Sequence, residues 1–130
     1  GVCNDGSVKE ALRARNDCGI HVVADLFSVK VENLATRAAE LEKMGVDMVM
    51  LHFGIDQSKY EEKSRSPLLG LDRILETVSI PVSVATFTLQ QSIDAVKMGA
   101  SCIVQGHPMI NAEKPFDEIK KFVDAVHTAM

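Results

Sequence analysis

The sequence lacks the features that define several classes of protein. No apolar run approaches the roughly 20 residues that a membrane-spanning helix needs. The start of the chain, GVCNDGSVKE, has neither the basic beginning nor the apolar centre of a signal peptide. The formal net charge is −4, whereas non-specific nucleic-acid binding depends on many Lys and Arg contacts to phosphates. We therefore expect a cytoplasmic protein that binds neither membranes nor nucleic acid.

Cysteine is scarce, and its spacing excludes the common cysteine-based sites. The three cysteines, Cys3, Cys18 and Cys102, are odd in number, far apart and without a CxxC pair. An odd number leaves at least one cysteine without an intramolecular disulfide partner, and a cysteine-bound zinc ion usually uses CxxC pairs, which this sequence lacks. The cysteines are therefore predicted to be reduced thiols, as is usual for cytoplasmic proteins.

What the chain does contain is the composition of one ordinary globular domain. Apolar residues make up 46% of the 130 residues and charged residues 25%, both close to the average for soluble domains. A chain of this length can bury a real core but has no room for a second domain. We expect a single domain over residues 1–130.

Helix signals recur along the chain. Ser7 and Glu10 have the spacing of a capping box, and Gly19 is placed to end that helix. Thr88 and Gln91 repeat the same box pattern further on. In addition, the segment VENLATRAAELEKMG (31–45) carries apolar residues at helical spacing and ends in glycine.

Between the helices lie short apolar runs that read as strands. We place them at 20–26, 46–52, 80–85 and 101–106. Because they are nearly continuous in apolar character, they are typical of parallel strands covered on both faces. The segments LEKMGVDMVML and AVKMGASCIVQ also resemble each other, which indicates a repeated helix–Gly–strand unit. The fold class is therefore α/β. The architecture is either half of a (β/α)8 barrel or a small open parallel sheet.

Polar residues follow all four predicted strands at the same end. In parallel α/β folds ligands bind at the carboxyl ends of the strands, so these residues are expected to meet at one site. The candidates are Asp25, His52, Asp56, Thr86, Gly106 and His107.

These same segments resemble the 3-hexulose-6-phosphate synthase family. This family lies in the orotidine 5'-phosphate decarboxylase superfamily, which also contains 3-keto-L-gulonate-6-phosphate decarboxylase. VVADLFSV is similar to the family's fifth strand, and HFGID (52–56) is similar to its His-Thr-Gly-x-Asp motif. IPVSVA and GASCIVQGHPMINAEKP are similar to strands seven and eight. The resemblance runs the whole length of the chain, which would then be the C-terminal four βα units of a TIM barrel.

The resemblance implies an aldehyde-lyase of carbohydrate metabolism. Such an enzyme joins formaldehyde to ribulose 5-phosphate through an enediolate stabilised by Mg²⁺. It implies catalytic roles for Asp25, His52 and Asp56. Phosphate binding would fall to Thr86 with Gly106 and His107. The metal ligands would lie in the first half of the family's barrel, which this chain does not contain.

The chain departs from the family in its phosphate loop. Thr86 and Phe87 stand where the family has a Gly-Gly pair, and His107 follows Gly106 where an arginine or glycine is usual. One expectation is therefore an enzyme of this family, for which activity of this chain alone is doubtful. The alternatives are a keto-sugar-acid-phosphate decarboxylase of the same superfamily and a non-catalytic half-barrel that serves as a binding or scaffold subunit. In each case we expect a homo-oligomer, as in the family's homodimers, or pairing with a missing N-terminal half.

Overall fold

The computed structural model describes residues 4–54, 57 and 66–130. Helices and strands alternate along these residues. The helices are α1 (Asp5–Cys18), α2 (Leu34–Met44), α3 (Leu71–Thr77), α4 (Leu89–Met98) and α5 (Pro115–Ala129). The strands are β1 (Val23–Asp25), β2 (Met48–Leu51), β3 (Val82–Thr86) and β4 (Cys102–Gln105). Short 3₁₀ turns occur at Val31–Asn33 and Met109–Asn111. None of the described helices is long and apolar enough to cross a membrane.

The strands form one parallel sheet in the order β1-β2-β3-β4. A parallel sheet with helices between consecutive strands confirms the predicted α/β class. The strands are shorter than the predicted ranges, except that β3 extends one residue further, to Thr86. The carboxyl ends of all four strands lie at the same end of the sheet because the strands run in one direction.

The helix ends follow from capping, with one prediction wrong. The N-cap of α1 is Asn4, three residues before the predicted cap Ser7, and its Oδ1 accepts a hydrogen bond of 2.9 Å from the Ser7 amide. Ser7 therefore lies inside the first turn. The capping box of Thr88 and Gln91 on α4 is confirmed. Gly45 ends α2 with φ 97°, a left-handed conformation that other residues adopt only with strain.

The core lies between the sheet and the helices on one of its faces. Leu34, Ala38 and Leu41 of α2 are buried, as are Val49 of β2 and Val84 of β3. Alternate residues of each strand point to opposite faces, so a strand is buried throughout only where both faces are covered. Val82, Ser83 and Val84 meet this condition in β3.

The edge strands β1 and β4 are not covered on both faces. Val23 in β1 is 51% exposed and Val104 in β4 is 45% exposed. The prediction that the strands are covered on both faces is therefore wrong for the two edges. Both side chains lie on the face of the sheet that the buried residues Ala24, Val49 and Val84 do not share.

Helix α5 also carries uncovered apolar surface. Phe116 is 76% exposed and Met130 is 79% exposed. Ile119 and Val123, which lie between them on the helix, are exposed as well. Such a contiguous apolar stripe on a soluble domain usually marks a contact surface.

Asp47 ties the amino end of the sheet to α1. Its Oδ2 accepts a 2.7 Å hydrogen bond from the Val22 amide, and its Oδ1 lies 3.3 Å from Arg15 Nη1. The Val22 hydrogen bond lowers the pKa of Asp47 below its ordinary value of 3.8, and the charge of Arg15 lowers it further. Both contacts favour the ionised carboxylate.

We predict that replacing Asp47→Asn makes folding less stable near neutral pH and that this difference shrinks in acid. A carboxylate whose pKa is lower when folded stabilises the fold above its unfolded pKa. That contribution is lost as the pH falls through the folded value. Urea unfolding of both proteins from neutral pH to below pH 3.8 measures this. A difference that stays constant across the range would contradict the assignment.

Candidate active site

Asp25 and His52 meet at the carboxyl ends of neighbouring strands. Asp25 is the last residue of β1 and pairs in register with Met50 of β2. His52 comes two residues after Met50, so its side chain lies on the same face of the sheet as Asp25. The distance between Asp25 Oδ2 and His52 Nδ1 is 2.9 Å. The predicted proximity of these two residues is therefore found in the structure.

The Asp25 carboxylate accepts hydrogen bonds from two neighbours. Its Oδ1 accepts a 2.9 Å hydrogen bond from the Phe27 amide, while Oδ2 faces His52. A carboxylate can only accept hydrogen bonds, so His52 Nδ1 carries the hydrogen in this contact. In the neutral ring, Nε2 is then an acceptor that has no partner among the described residues. Both side chains are about one-third exposed, so a ligand can reach them.

Phe27 fixes the plane of the histidine ring. The two ring centroids lie 5.0 Å apart with a tilt of 48°. Gly54 makes this possible, because a Cβ atom at that position would lie 2.5 Å from Phe27 Cε2. The Gly54 amide also donates a 2.9 Å hydrogen bond to Gln57 Oε1. The glycine of the HFGID segment thus leaves space for an aromatic ring that supports His52.

Asp56, the third predicted catalytic residue, lies outside the described residues.

The Thr86 side chain points into the protein rather than toward a ligand. Thr86 is 3% exposed, and its Oγ1 lies 2.7 Å from Ser92 Oγ and 2.8 Å from the terminal amide of Gln105. These contacts join β3, α4 and β4 at their common end. Thr86 therefore has no free hydroxyl group with which to make the predicted phosphate contact.

The backbone amides that follow Thr86 are also hydrogen-bonded within the chain. The amides of Phe87 and Thr88 both donate to Gln91 Oε1, at 3.0 and 3.2 Å. In a glycine-rich phosphate loop, such amides face the anion. Here the side chain of the capping box takes their hydrogen bonds instead.

Gly106 and His107 are the open part of the predicted phosphate site. A Cβ atom at Gly106 would meet no atom within 4 Å, so the backbone there is accessible. His107 is exposed, and its Nδ1 lies 3.1 Å from Asn111 Nδ2. The asparagine nitrogen can only donate, so Nδ1 accepts and Nε2 carries the hydrogen in the neutral ring. His107 can thus offer one N–H donor to an anion.

The described residues contain no cluster of three or more His, Cys, Asp or Glu side chains that could hold a metal ion. Each oxygen of Asp25 accepts one hydrogen bond and keeps a second lone pair, but no cluster of further ligands accompanies this carboxylate among the described residues. Mg²⁺ prefers six oxygen ligands in octahedral geometry. The described residues therefore do not fit a magnesium site.

Several residues that shape this end of the sheet were not predicted from the sequence as site residues. They are Phe27, Gly54, Gln91, Ser92 and Gln105. Gln91 carried a signal, because the capping box already implied that its side chain accepts backbone hydrogen bonds. Ser92 and Gln105 carried none, since their contact depends on the register between β3 and β4.

The chain resembles 3-hexulose-6-phosphate synthases in both sequence and structure. The 3-hexulose-6-phosphate synthase of Mycobacterium gastri is 32% identical over 127 residues, which cover 97% of this chain and 59% of that protein. The enzyme of the same name from Staphylococcus epidermidis is 29% identical over 123 residues, covering 93% of this chain and 56% of its own length. No protein-family model matches the chain.

The crystal structure of 3-hexulose-6-phosphate synthase from Salmonella typhimurium superposes with a TM-score of 0.85 at 25% identity. The chain is related to the 3-hexulose-6-phosphate synthases. It spans just over half the length of these relatives, which confirms the predicted half of a TIM barrel.

We predict that Asp25→Ala frees the His52 ring to change tautomer. Without the carboxylate, nothing described in the structure holds the hydrogen on Nδ1, and the more common Nε2–H form is expected to gain population. Long-range ¹H–¹⁵N NMR of the imidazole nitrogens distinguishes the two forms. Glu40→Ala serves as a control that removes an exposed carboxylate remote from His52. An unchanged His52 spectrum in Asp25→Ala would contradict the assignment.

Proposed function

We propose that the chain supplies part of the active site of an aldehyde-lyase of sugar-phosphate metabolism. The reaction is that of 3-hexulose-6-phosphate synthase, in which ribulose 5-phosphate condenses with formaldehyde. The observation that carries the proposal is the Asp25–His52 pair. It stands at the carboxyl ends of adjacent parallel strands, in a chain that superposes closely on such an enzyme.

His52 acts as the proton carrier in this proposal. Asp25 holds the hydrogen on Nδ1, so Nε2 presents a lone pair to the substrate and can accept a proton as the enediolate forms. The positive charge that develops on the ring is stabilised by the carboxylate 2.9 Å away. Phe27 keeps the ring in position while it changes charge. After the new carbon–carbon bond forms, the same nitrogen returns the proton to the product oxygen.

The substrate phosphate is assigned to the loop after β4. Gly106 leaves the backbone open to an anion, and His107 Nε2 offers a hydrogen-bond donor. The loop after β3 contributes little, because Gln91 takes the hydrogen bonds of its amides. We therefore expect weaker phosphate binding than a loop with two free glycine amides would provide.

Mg²⁺, if this reaction uses it, is assigned to residues other than those described. Its role is to stabilise the developing oxyanion, which otherwise requires several fixed donors. This assignment requires a second polypeptide segment to reach the substrate from the opposite side. The described half-barrel supplies the proton carrier and the assigned phosphate contacts.

The open edges of the sheet are the surfaces for that segment. Both β1 and β4 lack a strand neighbour on one side within the described chain, and parallel edges of this kind are normally covered. A second copy and a complementary half are both possible occupants. A complementary half with strands but fewer helices fits better, because the chain already has one helix before β1 and one after β4. A second copy would therefore bring two helices to each junction.

A non-catalytic role is the second candidate, and one observation favours it. Gln91, Ser92 and Gln105 satisfy the polar groups after β3 internally, as expected of a region that no longer meets a substrate. A scaffold subunit of this kind would bind sugar phosphates weakly or not at all. The decarboxylase alternative has no such observation in its favour.

We predict that the chain alone shows little or no turnover with ribulose 5-phosphate, formaldehyde and Mg²⁺. Joining it to the part of the Staphylococcus epidermidis relative that it does not match is expected to restore condensation. In that chimera, His52→Asn should lower kcat by about 10²-fold or more, which is the usual contribution of a general acid–base residue. The measurement is formaldehyde consumption with ribulose 5-phosphate and, in parallel, CO₂ release from a keto-sugar-acid phosphate.

The matched control is His127→Asn on the exposed surface of α5, which should leave kcat unchanged. Robust turnover by the chain alone would refute the need for a second segment. A chimera that folds but remains active with Asn at position 52 would refute the role of His52.

Titration with inorganic phosphate tests the assigned anion site. We predict measurable binding that weakens several-fold in His107→Ala, because one charge-assisted donor is lost. Calorimetry on the chimera measures the affinity, and His21→Ala at the opposite end of the sheet is the control. Absence of binding in the unsubstituted protein would favour the scaffold role instead.

A further inference from the structure

A cavity of about 710 Å³ lies between the start of α4 and the start of α5. It is bounded by the loops after β3 and β4, by the first residue of α4 and by the first two turns of α5. Its walls are largely apolar, with Phe87, Leu89, Met109 and Phe122 among them. The volume falls within the range of small-molecule sites, about 300–1,000 Å³.

The cavity lies on the face of the sheet opposite to the candidate active site. Gln105, the only residue of the four described strands that lines it, pairs in register with Thr86. Both side chains point to the same face as Val84, two residues before Thr86. Ala24 shares that buried face, so its neighbour Asp25 points to the other one. None of the residues assigned above to the substrate lines the cavity.

Thr86 fixes the orientation of the Gln105 amide. Its hydroxyl donates a 2.8 Å hydrogen bond to Gln105 Oε1. Because a threonine hydroxyl has only one hydrogen, Thr86 is the acceptor in its 2.7 Å contact with Ser92 Oγ. Ser92 also lies 3.0 Å from the Thr88 carbonyl oxygen, which is the longer of its two contacts. The hydrogen bonds therefore run from Ser92 through Thr86 to the oxygen of the amide.

The nitrogen of the amide is then the atom available to a ligand. Gln105 Nε2 carries two hydrogens and makes no hydrogen bond with another described residue. Thr86 does not line the cavity, so the amide oxygen that it binds faces away from the cavity and the nitrogen is on the cavity side. A chain of hydrogen bonds that ends on the oxygen also polarises the amide and strengthens its N–H groups as donors.

The rim of the cavity does not select for charge. It carries Glu113 and Glu118 together with Lys114 and Lys121, so the charges of these side chains cancel. An apolar interior with a balanced rim favours an uncharged ligand.

We propose that this cavity is a binding site for an uncharged, largely apolar small molecule that carries a hydrogen-bond acceptor, to which Gln105 Nε2 donates. Neither the proposed lyase activity nor the scaffold alternative requires this site. Thr86 and Ser92 act as positioning residues, because they hold the oxygen of the amide and so direct its nitrogen to the ligand.

Two probes of similar size and hydrophobicity test the proposal on the full chain. Isoquinoline has an acceptor nitrogen and no N–H, whereas indole has an N–H donor and no acceptor nitrogen. We expect isoquinoline to bind about fivefold more tightly, the usual effect of one hydrogen bond. NMR titration above neutral pH, where isoquinoline is uncharged, measures both affinities. Isoquinoline should also move the resonances of the Gln105 Nε2 protons downfield.

Variants at Gln105 test its part in this preference. Gln105→Leu should abolish the preference, because leucine fills a similar space without a donor. Gln105→Glu should favour indole instead, because the carboxylate oxygen that replaces Nε2 can only accept. The matched control is Gln90→Leu on the exposed face of α4, which should retain the preference for isoquinoline.

Thr86→Val tests the positioning role of the hydroxyl. Valine has nearly the same shape but cannot donate to Gln105 Oε1, so both orientations of the amide become accessible. The preference for isoquinoline should then shrink although Gln105 is still present. Thr86→Ser keeps the hydroxyl and should retain the preference. Circular dichroism checks that each variant is folded, and the Gln105 variants carry the test if Thr86→Val is not.

Tighter binding of indole by the unsubstituted chain would overturn the assignment of a donor to the cavity. If neither probe binds, the site itself is refuted. A preference for isoquinoline that survives Gln105→Leu would show that Gln105 does not recognise the acceptor.

Discussion

Parallel register is the constraint on which the rest of this structure depends. Because all four strands run in one direction, residues far apart in sequence reach the same edge of the sheet. Asp25 and His52 are 27 positions apart, yet the pairing of β1 with β2 places them 2.9 Å from each other. The same register places Thr86 opposite Gln105 and so creates the hydrogen-bond network between them. A shift of one residue would send each of these side chains to the other face.

The two faces of the sheet differ in how completely their side chains are covered or hydrogen-bonded. On the helix side, polar groups near β3 find partners, and the Thr86–Ser92 contact is buried. On the other face, Val23 and Val104 remain exposed at the edges. One face of the sheet is thus covered, whereas the other is covered at β3 and exposed at the edge strands. This asymmetry is what half of a closed barrel requires, since the interior of such a barrel is filled by side chains from all its strands.

Sequence reasoning predicted the elements that depend on local signals. Apolar runs located the strands, and Gly45 marked the end of α2 because a left-handed cap favours glycine. The cap of α1 was predicted at Ser7, but Asn4 is an equally good capping residue and takes that position in the structure. Asp25 and His52 were predicted to lie together from a general rule about strand ends. The hydrogen bonds of Thr86 depend on distances between β3, α4 and β4, which spacing along the chain does not encode.

The Asp25–His52 pair is confined to two neighbouring strands, with Phe27 and Gly54 from the loops that directly follow them. Nothing in that group of contacts reaches across to β4 or to either terminal helix. The arrangement is therefore portable. Barrels assembled from this chain and different complementary halves would keep the same contacts around the pair, because every residue that makes them belongs to this chain.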